Sequence, residues 1–242
     1  MDNLKGQVAL VTGAAKRIGK ALALALAEQG ADVAITYRGS EAEAQRTVEE
    51  LRALGVKAEG YQCDVRSPEE IRQTIATVAE DFGGINLLVN NAGRFETAAL
   101  ENISVEQWDA MFETNTRGPF LASQAAYPYL KAARGRIINI GSLGGVHPWP
   151  THGHYCTSKA ALHMLTSTMS KAFAPEISVN CVAPGMIVTN GEVSAEYEHF
   201  AHKTPMKRNG TPKDVVAAVL FFATGPHFIT GQLLGVDGGL GL

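Results

Sequence analysis

The sequence predicts an α/β fold, in which one doubly wound parallel sheet of seven strands has helices on both faces. Short apolar runs alternate with longer segments of helical composition along the whole chain, and 25 of the 242 residues are glycine. Such alternation is typical of repeated strand, helix and strand units. No linker, repeat or low-complexity segment interrupts it, so residues 1–242 are expected to form a single domain.

The predicted strands are short runs rich in apolar and β-branched residues. The first, residues 8–11, is continuously apolar, as expected for a strand that is buried on both faces. In a parallel sheet the carboxyl ends of the strands meet at one edge, and ligands bind there. The seven predicted strands are residues 8–11, 32–37, 57–62, 86–90, 136–140, 177–183 and 233–236.

The segments between the strands have the length and composition of helices. Ser67, Pro68 and Glu70 form a strong helix start, with a capping serine, a proline at the first helical position and a glutamate three residues on. The region 104–130 contains Pro119, which predicts a kink. The predicted helices are residues 20–29, 40–54, 67–82, 104–130, 155–173, 193–202 and 211–222.

Composition argues against several classes of partner. The formal net charge is −3 and no basic run exceeds two residues, which argues against nucleic-acid and membrane-surface partners. No apolar run approaches the ~18 residues of a membrane span, and the first residues lack the pattern of a signal peptide. Cys63, Cys156 and Cys181 are odd in number and far apart, which is typical of reduced thiols. We therefore expect a soluble, cytoplasmic protein.

The histidines do not predict a metal site. Two loops carry several of them, but no Cys or carboxylate cluster stands beside them at the spacing of metal ligands. The histidines of these loops are His147, His152, His154, His199 and His202.

The pair Tyr155 and Lys159 is the first sign of chemistry. A spacing of four places both side chains on one face of a helix. A free phenol titrates near pH ~10, and a nearby ammonium lowers that value. Tyr155 held beside Lys159 could therefore exchange a proton with a substrate oxygen. A pair on a solvated helix is the alternative, and such pairs are common.

Two polar residues elsewhere extend this candidate site. Ser142 stands just past the fifth strand, where its hydroxyl could bond the same substrate oxygen, although serine is also a common turn former. Asn115 lies inside a predicted helix, and Pro119 has no N–H to donate to its carbonyl. That carbonyl either holds a water near Lys159 or marks an ordinary proline kink.

A Gly-rich turn between the first strand and the first helix predicts a phosphate site. Such a turn aims backbone N–H groups and a helix N-terminus at a pyrophosphate. Gly13 and Gly19 fit this pattern, while Arg17 holds the position of its middle glycine. A plain loop with two incidental glycines is the alternative.

The residues after the second strand predict which dinucleotide binds. An acidic residue there would accept hydrogen bonds from the ribose hydroxyls of NAD, but Tyr37 to Ser40 contains none. Lys16, Arg17, Arg38 and the Ser40 hydroxyl could instead surround a ribose 2′-phosphate. We therefore predict a preference for NADPH over NADH. The alternative is that these are solvated surface charges.

Taken in order, the motif residues resemble the short-chain dehydrogenase/reductase family over nearly the whole chain. The resemblance implies a Rossmann-type domain that transfers a hydride between a nicotinamide and a carbonyl carbon, with NADP(H) as the cofactor. The residues that carry it are Thr12, Gly13, Gly19, Asp64, Asn90, Asn91, Ala92, Gly93, Asn115, Ser142, Tyr155, Lys159, Pro184, Gly185, Asp237, Gly238 and Gly239.

The resemblance also implies a role for each catalytic residue. Tyr155 is the acid and base, and Lys159 lowers its pKa and holds the nicotinamide ribose. Ser142 orients the carbonyl, and Asn115 anchors a relay water.

For the cofactor, the resemblance implies that Asp64 contacts the adenine and Asn91 the adenosine side, while Ile187 and Thr189 contact the nicotinamide amide. Further predicted cofactor-binding residues are Ile18, Tyr37, Val65, Ala92, Gly93, Pro184 and Gly185.

One departure from the family pattern, Arg17 in place of the middle glycine, bears on which substrate is reduced. Arg17 looks like the pteridine-reductase branch, and Phe95 falls where that branch stacks an aromatic ring on the pterin. Against this, Ser142 stands where the branch usually has Asp, and Gly93 where it has Ser. Reduction of an aldehyde, ketone or 3-oxoacyl group is thus the prediction, and dihydropterin reduction the alternative. A sensor or scaffold that binds NADP without turnover is the alternative of another class.

Substrate specificity is expected to lie in the loops. Trp149, which stands between two prolines, is a rigid candidate for a wall of the site. Met186, Val193 and Tyr197 belong to a segment, about residues 186–211, that the resemblance implies is a mobile lid. The resemblance further implies a homotetramer assembled through long helices with surplus apolar residues such as Trp108.

Overall fold

The computed structural model describes residues 4–189 and 194–242, which form a seven-stranded parallel sheet with helices on both faces. The strand order is β3-β2-β1-β4-β5-β6-β7, and every pairing is parallel. The predicted fold class is therefore confirmed. The strands are β1 (Val8–Val11), β2 (Asp32–Tyr37), β3 (Ala58–Gln62), β4 (Leu87–Asn90), β5 (Arg136–Ile140), β6 (Ser178–Pro184) and β7 (Leu233–Val236).

Helices cover both faces of this sheet. The strand order reverses direction between β1 and β4, so the chain crosses from one half of the sheet to the other there. The helices are α1 (Arg17–Glu28), α2 (Glu41–Ala53), α3 (Pro68–Phe82), α4 (Val105–Phe112), α5 (Gly118–Ala133), α6 (Gly153–Ala172), α7 (Ala195–Lys203) and α8 (Pro212–Thr224).

Two hydrophobic clusters hold these helices on the sheet. On one face α1, α2 and α8 contribute buried side chains such as Leu26, Leu51 and Phe222. On the other face α3, α5 and α6 contribute Val78, Leu130, Met169 and their neighbours. Because both faces of the sheet are covered, the central strands β1, β4 and β6 are buried along their whole length.

The helix starts follow local sequence rules. Ser67 accepts a hydrogen bond from the Glu70 N–H with Pro68 in the first turn, as predicted. The predicted helix 104–130 is interrupted by a π-helical turn at Glu113–Arg117, in which the Gly118 N–H donates to the Glu113 carbonyl. Pro119, which has no N–H, lies two residues after this turn, so the helical hydrogen-bond pattern changes next to the proline.

Other boundaries differ from the prediction by a few residues. α1 begins at Arg17 and not at residue 20, because the helix starts directly from the Gly-rich turn. α7 begins at Ala195, whereas the prediction starts at Val193, which lies outside the described residues. Among the described residues no helix is long and apolar enough to cross a membrane.

A buried polar network ties the two central strands to the helices below the carboxyl edge of the sheet. The Asn90 amide donates to the Asn139 Oδ1 at 2.8 Å and to the Ser123 hydroxyl at 3.2 Å. The Asn139 amide in turn donates to the Thr166 hydroxyl at 2.8 Å. These bonds give the buried amides partners within the protein, as buried polar groups require. The network fixes α5 and α6 relative to β4 and β5, from which the candidate site projects.

Candidate active site

A cavity of about 740 Å³ lies beyond the carboxyl ends of the strands and gathers most of the predicted site residues. The predicted residues that line it are Gly13, Lys16, Arg17, Ile18, Gly19, Tyr37, Arg38, Asp64, Val65, Asn91, Ala92, Gly93, Phe95, Ser142, Trp149, Tyr155, Lys159, Pro184, Gly185, Met186, Ile187 and Thr189. Ser40, Asn115 and Tyr197 are not part of its lining. Residues from six of the seven strand ends thus share one space.

The cavity also contains residues that the sequence analysis missed. Each lies within two residues of a predicted one, and adjacency to a strand end would have found Thr36, Cys63, Ile140 and Gly141. They are Thr36, Cys63, Arg94, Thr114, Ile140 and Gly141. Of these, Arg94 is a charged residue, and its guanidinium pairs with the Glu96 carboxylate at 2.7 Å.

The Gly-rich turn is built by close approach to the end of β4. Gly13 has a φ of +64°, and a Cβ there would lie 2.9 Å from the Ala92 Cα. A Cβ on Gly19 would lie 2.5 Å from the Asn91 side-chain nitrogen. The Asn91 amide donates to the Thr12 and Gly13 carbonyls at 2.9 and 3.0 Å. The Asn91 side chain therefore holds this turn in place. This structural role is separate from the cofactor contact that is predicted for Asn91.

Arg17 adopts a backbone conformation that favours glycine. Its φ is +55°, in the left-handed region. The turn thus keeps the geometry of the three-glycine pattern although the middle residue carries a long cationic side chain. Because this conformation costs a non-glycine residue stability, it points to a use for the side chain in the cavity.

The cavity wall near the end of β2 is basic. Lys16, Arg17 and Arg38 are exposed and line the cavity, while no acidic residue follows β2 directly. Lys16 lies 3.7 Å from the Glu43 carboxylate, a surface pair that contributes little stability. Ser40 stands apart as the N-cap residue of α2 and makes no side-chain capping bond. Three of the four residues predicted around a 2′-phosphate therefore share one wall.

Asp64 lies at the end of β3 with its carboxylate already engaged. The Arg66 guanidinium donates to both carboxylate oxygens, at 3.0 and 2.5 Å. This hydrogen bonding holds the pKa of Asp64 below its usual value. The carboxylate is therefore fixed and charged where it borders the cavity.

Lys159 lies buried between α6 and β5, one turn after Tyr155. Its ammonium donates to the Ile140 carbonyl at 2.8 Å, and only 5% of the residue is exposed. Burial lowers the pKa of Lys159 to about 8. The predicted placement of both side chains on one face of a helix is confirmed, because both line the same cavity.

The structure corrects the expectation that the pKa of the Tyr155 phenol is lowered. Burial raises the pKa of its phenol to about 12, and the hydrogen bond with Ser142 acts in the opposite direction. The expected lowering of this pKa by Lys159 does not hold here, because the ammonium points to the Ile140 carbonyl and burial outweighs other influences. Tyr155 is consequently a neutral phenol at physiological pH.

Ser142 presents its hydroxyl beside Tyr155. Its oxygen accepts the Gly144 N–H at 3.0 Å, so its hydroxyl proton is the donor in the hydrogen bond with Tyr155. Ser142 is therefore both a turn former and a hydrogen-bonding partner in the site, and the two alternatives of the sequence analysis are compatible.

Asn115 is fully buried behind the cavity wall and acts through its side chain. The Oδ1 accepts the Arg94 N–H at 2.8 Å, and the Nδ2 donates to the Arg94 carbonyl at 2.9 Å and to the Ser158 hydroxyl at 3.0 Å. The sequence pointed only to the backbone carbonyl of Asn115. These bonds instead connect the π-helical turn with the segment after β4 and with α6.

Aromatic rings next to Tyr155 form a cluster, here called the aromatic wall (Phe95, Trp149 and His152), of which Phe95 and Trp149 line the cavity. Phe95 stacks on His152 with ring centroids 4.8 Å apart and meets Tyr155 edge-on at 4.9 Å. Trp149 contacts His152 edge-on at 5.7 Å. Phe95 is nevertheless 61% exposed, so one of its faces is open toward the cavity. Met186 also lines the cavity, whereas Tyr197 does not.

No group of three or more metal-ligating side chains occurs among residues 4–189 and 194–242. The glycine positions that a Cβ would fill, the basic wall and the adjacent hydroxyls of Ser142 and Tyr155 instead fit a phosphorylated dinucleotide and a carbonyl.

Comparison with known proteins agrees with this geometry. The family model described as enoyl-(acyl carrier protein) reductase matches residues 13–241. The chain is 39% identical over 244 residues to the 3-oxoacyl-[acyl-carrier-protein] reductase of Synechocystis, with 99% of each chain covered. A short chain dehydrogenase from Burkholderia cenocepacia in complex with NADP has a TM-score of 0.94 and 38% identity, with 99% and 100% coverage. A blue fluorescent protein from a metagenomic library in complex with NADPH has a TM-score of 0.93 and 34% identity, with 98% and 99% coverage.

Because its ammonium is buried, we expect Lys159 to lower the free energy of unfolding at neutral pH. Its pKa is 10.5 in an unfolded chain and about 8 here, so the unfolded chain binds more protons between these values and stability rises with pH across that window. Lys159→Met should raise the free energy of unfolding at pH 7 by about 1–3 kcal/mol, measured by chemical denaturation without ligand.

This gain should shrink as the pH rises from 8 toward 10.5. Lys171→Met, at an exposed position of the same helix, is the matched control and should change stability by less than about 0.5 kcal/mol. A loss of stability in Lys159→Met at pH 7, or a gain that does not vary with pH, would contradict the assignment.

Proposed function

This chain belongs to the short-chain dehydrogenase/reductase family of oxidoreductases, and we propose that it reduces a carbonyl group of the aldehyde, ketone or 3-oxoacyl type with NADPH. The observation that carries the proposal is the convergence of Ser142, Tyr155 and Lys159 in the cavity that also contains the Gly-rich turn. A bound nicotinamide cofactor would supply the hydride. The whole chain, residues 1–242, would act as one domain, with residues of about 186–211 as its substrate loop.

The three side chains have different roles at the carbonyl oxygen of the substrate. The Ser142 hydroxyl, which is bonded to Tyr155 in this structure, would donate its hydrogen bond to the substrate oxygen instead. Tyr155 then gives it a proton as negative charge develops there. Lys159 holds a positive charge nearby and donates to the Ile140 carbonyl, which fixes its position.

The pKa values favour reduction at neutral pH. A phenol whose pKa is about 12 is fully protonated and can act as an acid toward the still more basic alkoxide that forms on the substrate. An ammonium whose pKa is about 8 is mostly charged at pH 7 and loses its proton as the pH rises. The favourable effect of Lys159 on the developing negative charge should therefore decline above pH 8.

Tyr155→Phe tests the proposed proton transfer. Loss of the hydroxyl should lower kcat by about 10²–10⁴-fold, because no other acid replaces it, while the Kd of NADPH stays within about threefold. Turnover is followed by NADPH oxidation, and Kd by NADPH fluorescence. Tyr129→Phe, whose ring packs on the core away from the cavity, is the matched control and should be unaffected. Unchanged turnover in Tyr155→Phe would contradict this role. If the wild type binds NADPH but reduces no carbonyl, the alternative of a sensor or scaffold would be favoured.

We infer a preference for NADPH over NADH from the basic wall. Lys16, Arg17 and Arg38 would hold the 2′-phosphate, and Asp64, Val65, Ile187 and Thr189 line the remainder of the cofactor path. The two solved relatives named above contain NADP and NADPH, which supports this choice.

Arg38→Ala should weaken NADPH binding by about 10-fold or more, because a charge-assisted hydrogen bond is lost, and should leave NADH binding within about threefold. Arg46→Ala, an exposed position on α2 outside the cavity lining, is the control. Equal or tighter binding of NADH than of NADPH by the wild type would contradict the assignment of the basic wall.

The aromatic wall bears on the choice of substrate. Phe95 presents an open face next to Tyr155, so a planar conjugated group could stack there while its carbonyl reaches the phenol. A 3-oxoacyl thioester is supported by the relative from Synechocystis. A dihydropterin is the second candidate, and the open face of Phe95 together with Arg17 is what favours it.

A panel of aldehydes, ketones, 3-oxoacyl thioesters and dihydropterins separates these substrates. Phe95→Ala should lower kcat/KM for planar conjugated carbonyls by up to about tenfold and change short aliphatic ones little. Phe228→Ala, a 98% exposed ring outside the cavity lining, is the control. Turnover of dihydropterin alone would replace the carbonyl reductase proposal with the second candidate.

We also propose a homotetramer and a cytoplasmic location. Large apolar side chains lie exposed on α4, α5, α8 and β7, namely Trp108, Phe120, Phe221 and Leu233, and an assembly would cover them. The three cysteines are free thiols, which suits a reducing compartment. Sedimentation as a monomer alone would contradict the assembly.

A further inference from the structure

His163 lies directly beneath the loop that carries Ser142. It follows Lys159 by one turn of α6, and its ring fills the space left by two glycines, Gly141 and Gly145, which flank that loop. A Cβ on Gly141 would collide with the His163 Nε2, and a Cβ on Gly145 would collide with the Cε1. One imidazole thus supports both ends of the segment 141–145, here called the serine loop.

The ring also makes a polar contact with Ser142 itself. The Ser142 N–H points to the His163 Nε2 at 3.4 Å, which is a long hydrogen bond. On the other side, the Gly144 N–H donates to the Ser142 hydroxyl oxygen at 3.0 Å. Backbone and side chain of Ser142 are thereby fixed by separate partners, and the orientation of its hydroxyl follows from both.

The surroundings keep the imidazole neutral. Burial and the Lys159 ammonium on the same helix lower the pKa of His163 to about 4. Cys181 faces the loop from β6, and burial raises its pKa to about 12, so that its thiol is also neutral. A neutral ring whose Nε2 accepts a hydrogen bond carries its proton on Nδ1.

Packing alone does not explain this residue. The Nδ1 is buried and has no hydrogen-bond partner among the described residues. An unsatisfied buried N–H lowers stability, so an apolar side chain of similar size would fill the space better. The compensating gain is the acceptor that the ring places under Ser142.

We propose that His163 is a positioning residue for the carbonyl reduction proposed above: its Nε2 accepts the Ser142 N–H and its ring supports the serine loop, so that the Ser142 hydroxyl meets the substrate oxygen. It touches neither substrate nor cofactor and acts through Ser142 alone.

A double-mutant cycle tests whether His163 acts through Ser142. Ser142→Ala should lower kcat by about 10²-fold, and His163→Met, which fills the space without an acceptor, by about tenfold, with the Kd of NADPH unchanged. In the double variant His163→Met should cost no further loss, because the hydroxyl that it positions is absent. Multiplication of the two losses, or an unchanged kcat in His163→Met, would overturn the proposal.

His163→Gln supplies the rescue variant. Its side-chain amide reaches the position of Nε2 and offers an acceptor, so its kcat should return to within about threefold of the wild type. A loss as large as that of His163→Met would overturn the role of the acceptor.

A measurement on the unsubstituted protein does not depend on the folding of any variant. Nitrogen NMR of histidine-labelled protein should show His163 with a protonated Nδ1 and an unprotonated Nε2 throughout pH 6–8, since the pKa is about 4. A ring protonated on Nε2 would overturn the proposal. A wild type that turns over no carbonyl would instead overturn the proposed function and the role of His163 with it, whereas additive losses in an active enzyme overturn only the latter.

Discussion

All seven strands run in the same direction, and the arrangement of the site follows from this constraint. Each loop that leaves a carboxyl end emerges at the same edge of the sheet, so residues as distant in sequence as Gly13 and Thr189 line one cavity. The Asn90, Asn139 and Thr166 network then fixes the two helices beneath that edge. A shift of one strand would move the Gly-rich turn and Ser142 relative to each other, since β1 and β5 are both neighbours of β4.

Burial of the Lys159 ammonium lowers the folding stability of this arrangement. Only 5% of the residue is exposed, and its ammonium donates to the Ile140 backbone carbonyl. Around it stand groups that burial keeps neutral, namely the Tyr155 phenol, the Cys181 thiol and the His163 ring. A positive charge in such a setting acts strongly on any negative charge that develops nearby. In the proposed reduction, this charge would act on the substrate oxygen, at a cost in folding stability.

The fold and most of the site could be predicted because their signals are local in the sequence. Ser67, Pro68 and Glu70 define a helix start by themselves, and the spacing of Tyr155 and Lys159 places both on one helical face. Interactions between distant segments could not be read in this way. The Asn115 amide, for example, bonds residues 21 and 43 positions away.

The expectation that Lys159 lowers the pKa of Tyr155 was wrong for the same reason, because sequence spacing does not show how side chains pack. Spacing places Lys159 near Tyr155, but it does not show where the ammonium points or how deeply the phenol is buried. Burial in fact raises the pKa of Tyr155 to about 12. His163 was missed for a related reason: its partners, Gly141 and Gly145, belong to another loop, and a lone histidine on a helix carries no signal of its own.

The central claim is that the cavity transfers a hydride from a nicotinamide to a carbonyl carbon. The most direct test is to supply an aldehyde substrate together with NADPH that carries deuterium at one or the other face of the nicotinamide C4. The account predicts that one of the two labelled cofactors delivers its deuterium to the carbinol carbon of the product, as detected by mass spectrometry. Reduced product without deuterium from either cofactor would contradict it.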